Sequence, residues 1–514
     1  MTAAREVTVS EWLAVRAYYW LPAWPTLLPF CLVMLPMYSG PAMQMLSSVF
    51  FNAPMEREWL AGESADAADR LMSYPPMGMF SGWMFGALAW TVVSDRHGRR
   101  LAMLGCGWAG ILLAAATSAS WSYGSFFAMR TLCGFAFGGQ GAVAYVWTME
   151  WATTRDLGLL TFAGNVAFSL ANILLVGVAY LGRELELGWR VQNLVLCAIQ
   201  TLPFALATCV VRESPRFLLQ TGRPAEAEEA IRAVLSPEAA LATTGFTLAL
   251  EGSRRPSHCE PTSPPTHGPS ARHLLLEAET LRRLAVVTFA WFGVNLLFYG
   301  LDFAVAACKV EDGCNIYTNG ILTAVADLPG YVFSFAAADS PQLGRRLTLV
   351  LSFAVSGGCL LTMAILRATA GVTTGDLGLG ALHFVGKCGA ASAFSLVYIY
   401  PTELFPTKMR SSALGVANVG GRIAAMLSPL AANLPAHLLE LGLGSLALAA
   451  AVLMLTLPET GERQSAAAPL AQQDALAVVP LAQHAQGYCE EEVEGGLPPP
   501  RRNGGGRRGH RSPA

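Results

Sequence analysis

Apolar positions gather along this chain in twelve blocks: residues 21–38, 75–94, 101–119, 126–149, 157–181, 190–211, 284–303, 317–338, 347–366, 378–400, 412–434 and 440–457. Polar and charged residues collect between them. A helix needs about 20 apolar residues to cross a hydrocarbon core of ~30 Å, so the pattern predicts twelve transmembrane helices and an all-α membrane protein. Glycine and proline crowd several blocks, which spanning helices tolerate because neighbours satisfy the freed backbone groups. One polar gap is far longer than the rest and divides the blocks six and six. The expected organisation is an N-terminus over 1–20, a six-helix bundle over 21–211, a central loop over 212–283, a second bundle over 284–458 and a tail over 459–514. Within the loop, Pro224 to Leu235 has helical spacing. Gly252 to Ser270 is rich in Pro, Ser and His and is expected to be unfolded, and the tail from Gly461 is expected to be solvated.

Composition narrows the choice. Of 514 residues, 53% are hydrophobic and 14% charged, against about 25% charged in soluble proteins. So few charges cannot cover so much apolar surface in water, and chains disordered throughout are charge-rich. A formal net charge of −2 leaves no electrostatic footprint for nucleic acid. The expected partner is the lipid bilayer. Lys and Arg placement orients the spans. With the N-terminus inside, 25 of the 34 basic residues fall on inner segments and six on outer ones (Arg57, Arg70, Arg183, Arg190, Lys309, Arg367). Both termini are therefore expected in the cytoplasm, and the first twenty residues read as a cytoplasmic start to the chain with no secretory cleavage site.

The 11 cysteines are scattered without metal-like pairing or a disulfide framework; only Cys308 and Cys314, flanking an outer loop, leave a bridge open. Gly105 to Gly110 matches a dinucleotide pattern by letter but lies inside a span with no strand before it. No zinc-protease, nucleophile-elbow or phosphate-loop motif occurs, so no enzyme activity, cofactor or metal is expected. Gly82 with Gly86 and Gly134 with Gly138 are small-xxx-small pairs suited to close helix packing.

Punctuation recurs in the two halves. Asp95-Arg96-His97-Gly98-Arg99-Arg100 follows the second block and Gly344-Arg345-Arg346 the eighth. Glu150 to Arg155 closes the fourth and Glu403 to Arg410 the tenth; Glu213-Ser214-Pro215-Arg216 follows the sixth and Pro458-Glu459-Thr460 the twelfth. A duplicated six-helix unit with its site at the repeat interface is a transporter architecture.

On these residues the chain resembles the major facilitator superfamily, and within it the organic cation/anion/zwitterion transporters of solute carrier family 22. The loop 95–100 is similar to the superfamily's Asp-Arg-x-Gly-Arg-Arg signature. Glu213 to Leu219 with Gly222-Arg223 resembles the family's sequence after the sixth span, and Tyr400-Pro401-Thr402-Glu403-Leu404-Phe405-Pro406-Thr407, with Arg410 and then Arg422 to Pro429, is the most specific block. The resemblance implies two pseudo-symmetric six-helix bundles rocking about a central cavity, at the plasma membrane. It implies gating roles for Asp95, Arg99, Arg100, Glu150, Arg155, Glu213, Arg216, Glu403 and Arg410, as ion pairs formed between bundles at the inner ends of the spans.

Substrate contact is expected from charges and aromatics inside the spans. A charge there costs roughly 2.5–3.5 kcal/mol on insertion scales and so faces a cavity or a partner. Arg422 lies in the eleventh block, at a position that in the resembled family is acidic in cation carriers and basic in anion and zwitterion carriers. An arginine grips carboxylate or sulfate bidentately. Lys387 has His383 one turn before it on the same helix face, and a basic pair of spans would give the cavity a positive field. The alternative is that Arg422 or Lys387 pairs internally with Asp327 or Glu403. Asp327, before Leu328-Pro329, reads either as a proton or cation site or as a cap or counter-charge at the proline break. Trp291, Phe292, Phe298, Tyr299, Tyr331, Phe335, Phe394 and Tyr398 offer flat apolar surface for a hydrophobic ion, and aromatic faces also hold cations. Arg130 is expected to be structural.

Three features depart from the family. The outer loop after the first block, expected at Ser39 to Tyr74, is short and lacks cysteine; there is no Asn-x-Ser/Thr sequon; and Asp339 stands five residues before Gly344 instead of three. The expected function is transport of small organic anions or zwitterions by alternating access. The alternatives are a transport-inactive receptor or regulator, or an organic cation carrier.

Overall fold

The structure is a computed structural model. It describes residues 5–8, 24–151, 154–233, 246–249, 277–305, 315–338, 340, 342–371, 376–405 and 407–460. Helices account for nearly all of it. The N-terminal half holds α1 (Trp24–Trp59), α2 (Ala65–His97), α3 (Arg99–Thr117), α4 (Tyr123–Trp151), α5 (Thr154–Glu184) and α6 (Trp189–Val210). Two short helices follow, α7 (Pro215–Gln220) and α8 (Pro224–Arg232), the second on the segment whose spacing is helical. The C-terminal half holds α9 (Ala278–Ala304), α10 (Ile316–Ala338), α11 (Gly344–Ala370), α12 (Leu377–Leu404), α13 (Thr407–Ala431) and α14 (Ala436–Met454). Ten of these twelve long helices are long and apolar enough to cross a membrane by length and composition, counted among the described residues.

The first helix runs well past its apolar block. It continues to Trp59 and α2 begins at Ala65, so the connection is five residues, 60–64, and not the expected stretch from Ser39 to Tyr74. The polar residues that imitate a loop face protein. Gln44, Ser47 and Ser48 are buried, and Arg130 of α4 donates both to the Gln44 side-chain oxygen at 3.2 Å and to the Gln44 carbonyl. Arg130 is thus the buried strut that its position predicts.

Small residues set the closest approach within the first bundle. A Cβ on Gly82 or Gly86 of α2 would lie 2.0 Å from Thr131 O or 1.9 Å from Phe135 O, and one on Gly134 or Gly138 of α4 would lie 2.0 Å from Met79 O or 2.2 Å from Trp83 O. The two backbones therefore touch, as the paired small residues predict. The halves pack alike: α1 lies on α5 and α6, and α9 on α13 and α14. The bundles meet along two seams, α2 against α13 and α5 against α10.

The basic loops mark one end of both bundles. At the opposite end the seams are closed by cross-bundle contacts. Asn433 donates to Ser73 Oγ at 2.9 Å, and Ser73 Oγ donates to Pro429 O at 3.1 Å. Tyr317 stacks on Phe50 with centroids 6.0 Å apart, meets Tyr180 at 5.6 Å and lies under the Arg183 guanidinium. Apart from the helices, Arg5–Thr8 pairs in parallel with Phe246–Ala249. That places the N-terminal segment beside the central loop, on the same side, a contact that nothing in the local pattern predicts.

Candidate functional site

At the basic end each bundle carries an arginine held by two glutamates. In the first, Gly98 has φ +105°, where a side chain is strained, and a Cβ there would lie 2.3 Å from Glu213 Oε2. This turn aims the amides of Arg99 and Arg100 at Glu213, at 2.8 and 3.2 Å. The Arg99 guanidinium meets Glu150 at 3.0 Å, Asp95 at 3.2 Å and the Ser94 carbonyl, and lies over the Phe217 ring. The second bundle repeats the arrangement. Gly344 has φ +63°, the amides of Arg345 and Arg346 meet Glu459 at 3.0 and 3.2 Å, and the Arg345 guanidinium meets Glu403 at 2.7 Å.

The expectation of ion pairs between bundles is corrected here. Asp95, Arg99, Arg100, Glu150 and Glu213 belong to one bundle, and Glu403 pairs inside the other. The cause is local: the short loop from α2 to α3 places Arg99 directly over the end of α4, within reach of Glu150. Arg345 and Glu459, absent from the expected gating set, complete the second triad. Arg99 to Arg345 and Glu213 to Glu459 are the same 246 positions apart, a repeat signal sufficient to find them. Arg216 is half-buried at the start of α7. The Arg155 and Arg410 side chains, Asp339 and the Cys308–Cys314 pair lie outside the described residues.

Between the two ends lies a mixed aromatic and ionic centre. Lys387 of α12 is fully buried. Its Nζ meets Asp302 of α9 at 2.7 Å, the Phe298 carbonyl at 3.0 Å and Asp327 of α10 at 3.6 Å, and it lies 3.4 Å from the Phe298 ring centroid. The internal pairing of Lys387 is therefore the arrangement present, with Asp302 as the partner that the sequence reading misses. The uniformly positive field expected from two basic spans is corrected accordingly, since two carboxylates surround this ammonium. His383 reaches Thr323 Oγ1 at 2.9 Å. Thr323 gives its own hydroxyl proton to Asn319 O, so it accepts from His383 Nε2–H.

Arg422 is different. Its Cζ lies 5.3 Å from the Trp83 ring centroid, across the α2–α13 seam, and it lies beside Tyr299. Its Nε is buried without a hydrogen-bond acceptor, and no carboxylate among the described residues forms a salt bridge with it. The aromatic residues converge here. Phe298 packs on Phe394 at 4.7 Å, Phe394 on Tyr398 at 5.6 Å and Tyr398 on Trp291 at 4.5 Å, while Tyr299 packs on Phe80 of the other bundle at 5.0 Å. Tyr331 is fully buried in the same cluster, and Tyr145 meets Tyr398 across the bundles at 6.4 Å. Phe335 lies apart, exposed and tilted against Phe162 with centroids 5.2 Å apart, and Phe292 is half-buried. A void of about 20 Å³ is bounded by Asp302, Asn172 and Thr323, room for about one water molecule.

Comparisons with known proteins give the family. The profile described as "Sugar (and other) transporter" matches residues 42–464. Solute carrier family 22 member 7 of Rattus norvegicus is 30% identical over 404 residues, covering 75% of this chain and 69% of that protein. Solute carrier family 22 member 16 of Homo sapiens is 28% identical over 416 residues, 80% of this chain and 67% of that protein. Among solved structures, the inward open conformation of the xylose transporter XylE from E. coli matches with a TM-score of 0.63 at 16% identity, covering 85% of this chain and 99% of that one. The proton:xylose symporter XylE bound to 6-bromo-6-deoxy-D-glucose matches with a TM-score of 0.61 at 17% identity, covering 84% and 96%. Profile, relatives and fold agree: the chain is a multi-pass membrane transporter, not an enzyme, and belongs to the major facilitator sugar (and other) transporter family and, within it, to solute carrier family 22.

Proposed function

We propose that this protein moves small organic anions or zwitterions across the plasma membrane by alternating access, as a monomer with both termini cytoplasmic. Nucleic acid has no part in this reading. The observation that carries it is Arg422: a guanidinium on one bundle, resting on an indole of the other, with a buried Nε that lacks an acceptor. The cation–π contact is worth about 0.5–2 kcal/mol, and each hydrogen bond to a charged group about 1.5–3 kcal/mol. A carboxylate or sulfonate offering two such bonds outcompetes Trp83 for the guanidinium. Anion binding then loosens a contact across the α2–α13 seam, which is how occupancy would bias the position of the bundles. Trp83, Tyr299 and Phe394 supply apolar surface for the organic part of the solute, and Phe298, Tyr331, Tyr398 and Trp291 support them from behind. Lys387, Asp327 and His383 reach a solute only if their own contacts break. The triads at the basic end act as staples that keep each bundle rigid while it rocks.

The test is uptake of three labelled aromatic probes, benzenesulfonate, phenylalanine and trimethylphenylammonium, into cells with surface expression matched. Wild type is expected to take up the first or second saturably, and Arg422→Ala to lose that uptake at least tenfold. Arg422→Asp is expected to shift preference toward the quaternary ammonium. Wild-type uptake of the ammonium probe alone favours the cation carrier, and no uptake of any probe favours a receptor or regulator.

A further inference from the structure

We infer that Asp302, Lys387 and Asp327 form a proton-binding site, and that the proton held there travels with the organic anion bound at Arg422. This rests on the transporter reading above and adds the coupling ion to it.

Three helices bring the triad together. Asp302 comes from α9, Asp327 from α10 and Lys387 from α12, and the relative exposure of the three residues is 6%, 0% and 0%. Two carboxylates share one ammonium, so the triad carries a formal charge of −1 inside the protein. Three of its four carboxylate oxygens, Asp302 Oδ2 and both of Asp327, accept no hydrogen bond among the described residues. An uncompensated buried charge is costly, and a carboxylate without donors is a poor resident of such a place. A proton removes both difficulties. A metal ion would instead sit against the Lys387 ammonium, which already occupies the space between the carboxylates at 2.7 and 3.6 Å.

The coupling follows from charge balance. In the empty protein the −1 of the triad is offset by Arg422, with Tyr299 beside both Arg422 and Asp302. An anion that takes Arg422 removes this offset. The triad then favours a proton more strongly, and by reciprocity a protonated triad favours the anion. The sign is symport: anion and proton together restore neutrality, and either alone does not.

Access is also built in. Asp302 is two residues from the end of α9 and borders the void of about 20 Å³, whose far wall is Asn172 and Val176 of α5 and Val49 of α1. The Asn172 side-chain oxygen has no donor there. Parting of the bundles at the end opposite the basic loops would open this wall and wet Asp302. A hydronium then gives its proton to a carboxylate oxygen: the new O–H bond forms as one in hydronium breaks, and water is left. Release at the basic end reverses this, returning the proton to water and the carboxylate to its ionised form. The titratable groups facing the triad are His383 and Cys388 on α12, Tyr331 on α10 and Tyr299 on α9, with Arg367 of α11 beyond His383. The α1 and α5 residues at the void are uncharged.

The experiment uses the full chain in proteoliposomes with labelled benzenesulfonate, which stays anionic at every pH used. With the outside one pH unit below the lumen, wild type should accumulate the probe up to about tenfold for one proton per anion. Probe added outside should acidify a lumen containing pyranine. Asp327→Asn keeps the Lys387–Asp302 pair and fixes the triad at the neutral charge of its protonated form; its accumulation should be the same with and without the gradient. Should that variant move no probe, Asp327→Glu, which retains a titratable carboxyl, must restore gradient-driven accumulation, and a Glu variant equally silent overturns the assignment. Wild-type uptake that ignores the gradient overturns proton coupling while leaving the transporter reading intact. Gradient-driven accumulation that survives in Asp327→Asn places the proton elsewhere. Absence of wild-type benzenesulfonate uptake removes the anion reading itself, and this inference with it.

Discussion

Removing Arg99 tests whether the basic-end triads are staples within a bundle. Its Nε and Nη2 both bond Glu150 at 3.0 Å and its Nη1 bonds the Ser94 carbonyl. The Arg99 side chain is 9% exposed and that of Glu150 15%, so water screens the pair weakly. Breaking a buried pair costs about 3–5 kcal/mol; with Glu150 able to recover some hydration at the loop, Arg99→Ala should cost about 3 kcal/mol. A unit of 150–250 residues loses roughly 2–4 °C of Tm per kcal/mol, and one bundle falls in that range. Arg99→Ala should therefore lower the midpoint by roughly 6–12 °C, read by thermal unfolding of detergent-solubilised protein followed by size exclusion. Glu150→Gln added to Arg99→Ala should cost little more, because the partner is already gone. Arg345→Ala added to Arg99→Ala should instead be additive within about 0.5 kcal/mol, as for sites with no shared partner. Coupling of more than about 1 kcal/mol between the two arginines would mean that the triads bear on one another across the bundles, and the staple reading would be wrong.

Further expectations concern packing, state and pH. Gly86→Val should abolish a stable monodisperse peak in size exclusion, since even a Cβ there would lie 1.9 Å from Phe135 O; a stable variant would contradict the backbone contact of α2 and α4. Ser73→Cys with Asn433→Cys, whose native side chains are 2.9 Å apart, should cross-link under mild oxidant, and uptake should stop until reductant is added. Glu58 is held below the usual carboxylate range by hydrogen bonds from Arg190, with burial opposing and Trp189 assisting. A depressed carboxylate contributes stability that is complete above its unfolded pKa and lost as pH falls through the lower folded value. Thermal midpoints of wild type and Glu58→Gln should accordingly differ at neutral pH and converge below about pH 4.

Much of the fold is legible because apolar length is a coarse signal that tolerates irregularity. All twelve long helices contain most of an apolar block, and the long gap at 212–283 lies between the sixth and the seventh. The far end of the first helix is the exception. Hydropathy scores Gln44, Ser47, Ser48 and Asn52 as though water surrounded them, whereas Gln44 takes hydrogen bonds from Arg130 and Asn52 Nδ2 reaches Met72 O at 3.5 Å. A polar residue that faces a partner and one that faces solvent are the same letter. The strand pair of Arg5–Thr8 with Phe246–Ala249 is invisible for another reason: each segment is four residues long, and its partner is more than two hundred positions away.

The candidate site divides along the same line. Arg422 and the aromatic face are legible, because a charge inside a span and rings at helical spacing are statements about one helix. The environment of Lys387 is not, because it is assembled from three. Asp302 stands at the last turn of its apolar block, where a carboxylate reads as the mouth of a span; yet α9 runs on to Ala304 and its last turn packs against α1 and α10, so Asp302 is buried. One missed carboxylate changes the electrostatics of the whole centre. With Asp302 in place the inner charges are Lys387 and Arg422 against Asp302 and Asp327, formally neutral, and a solute of either sign unbalances them. Selectivity in this protein is then less a question of a positive or negative lining than of which pre-existing charge the solute neutralises, and Arg422, lacking the close carboxylates that hold Lys387, is the one available.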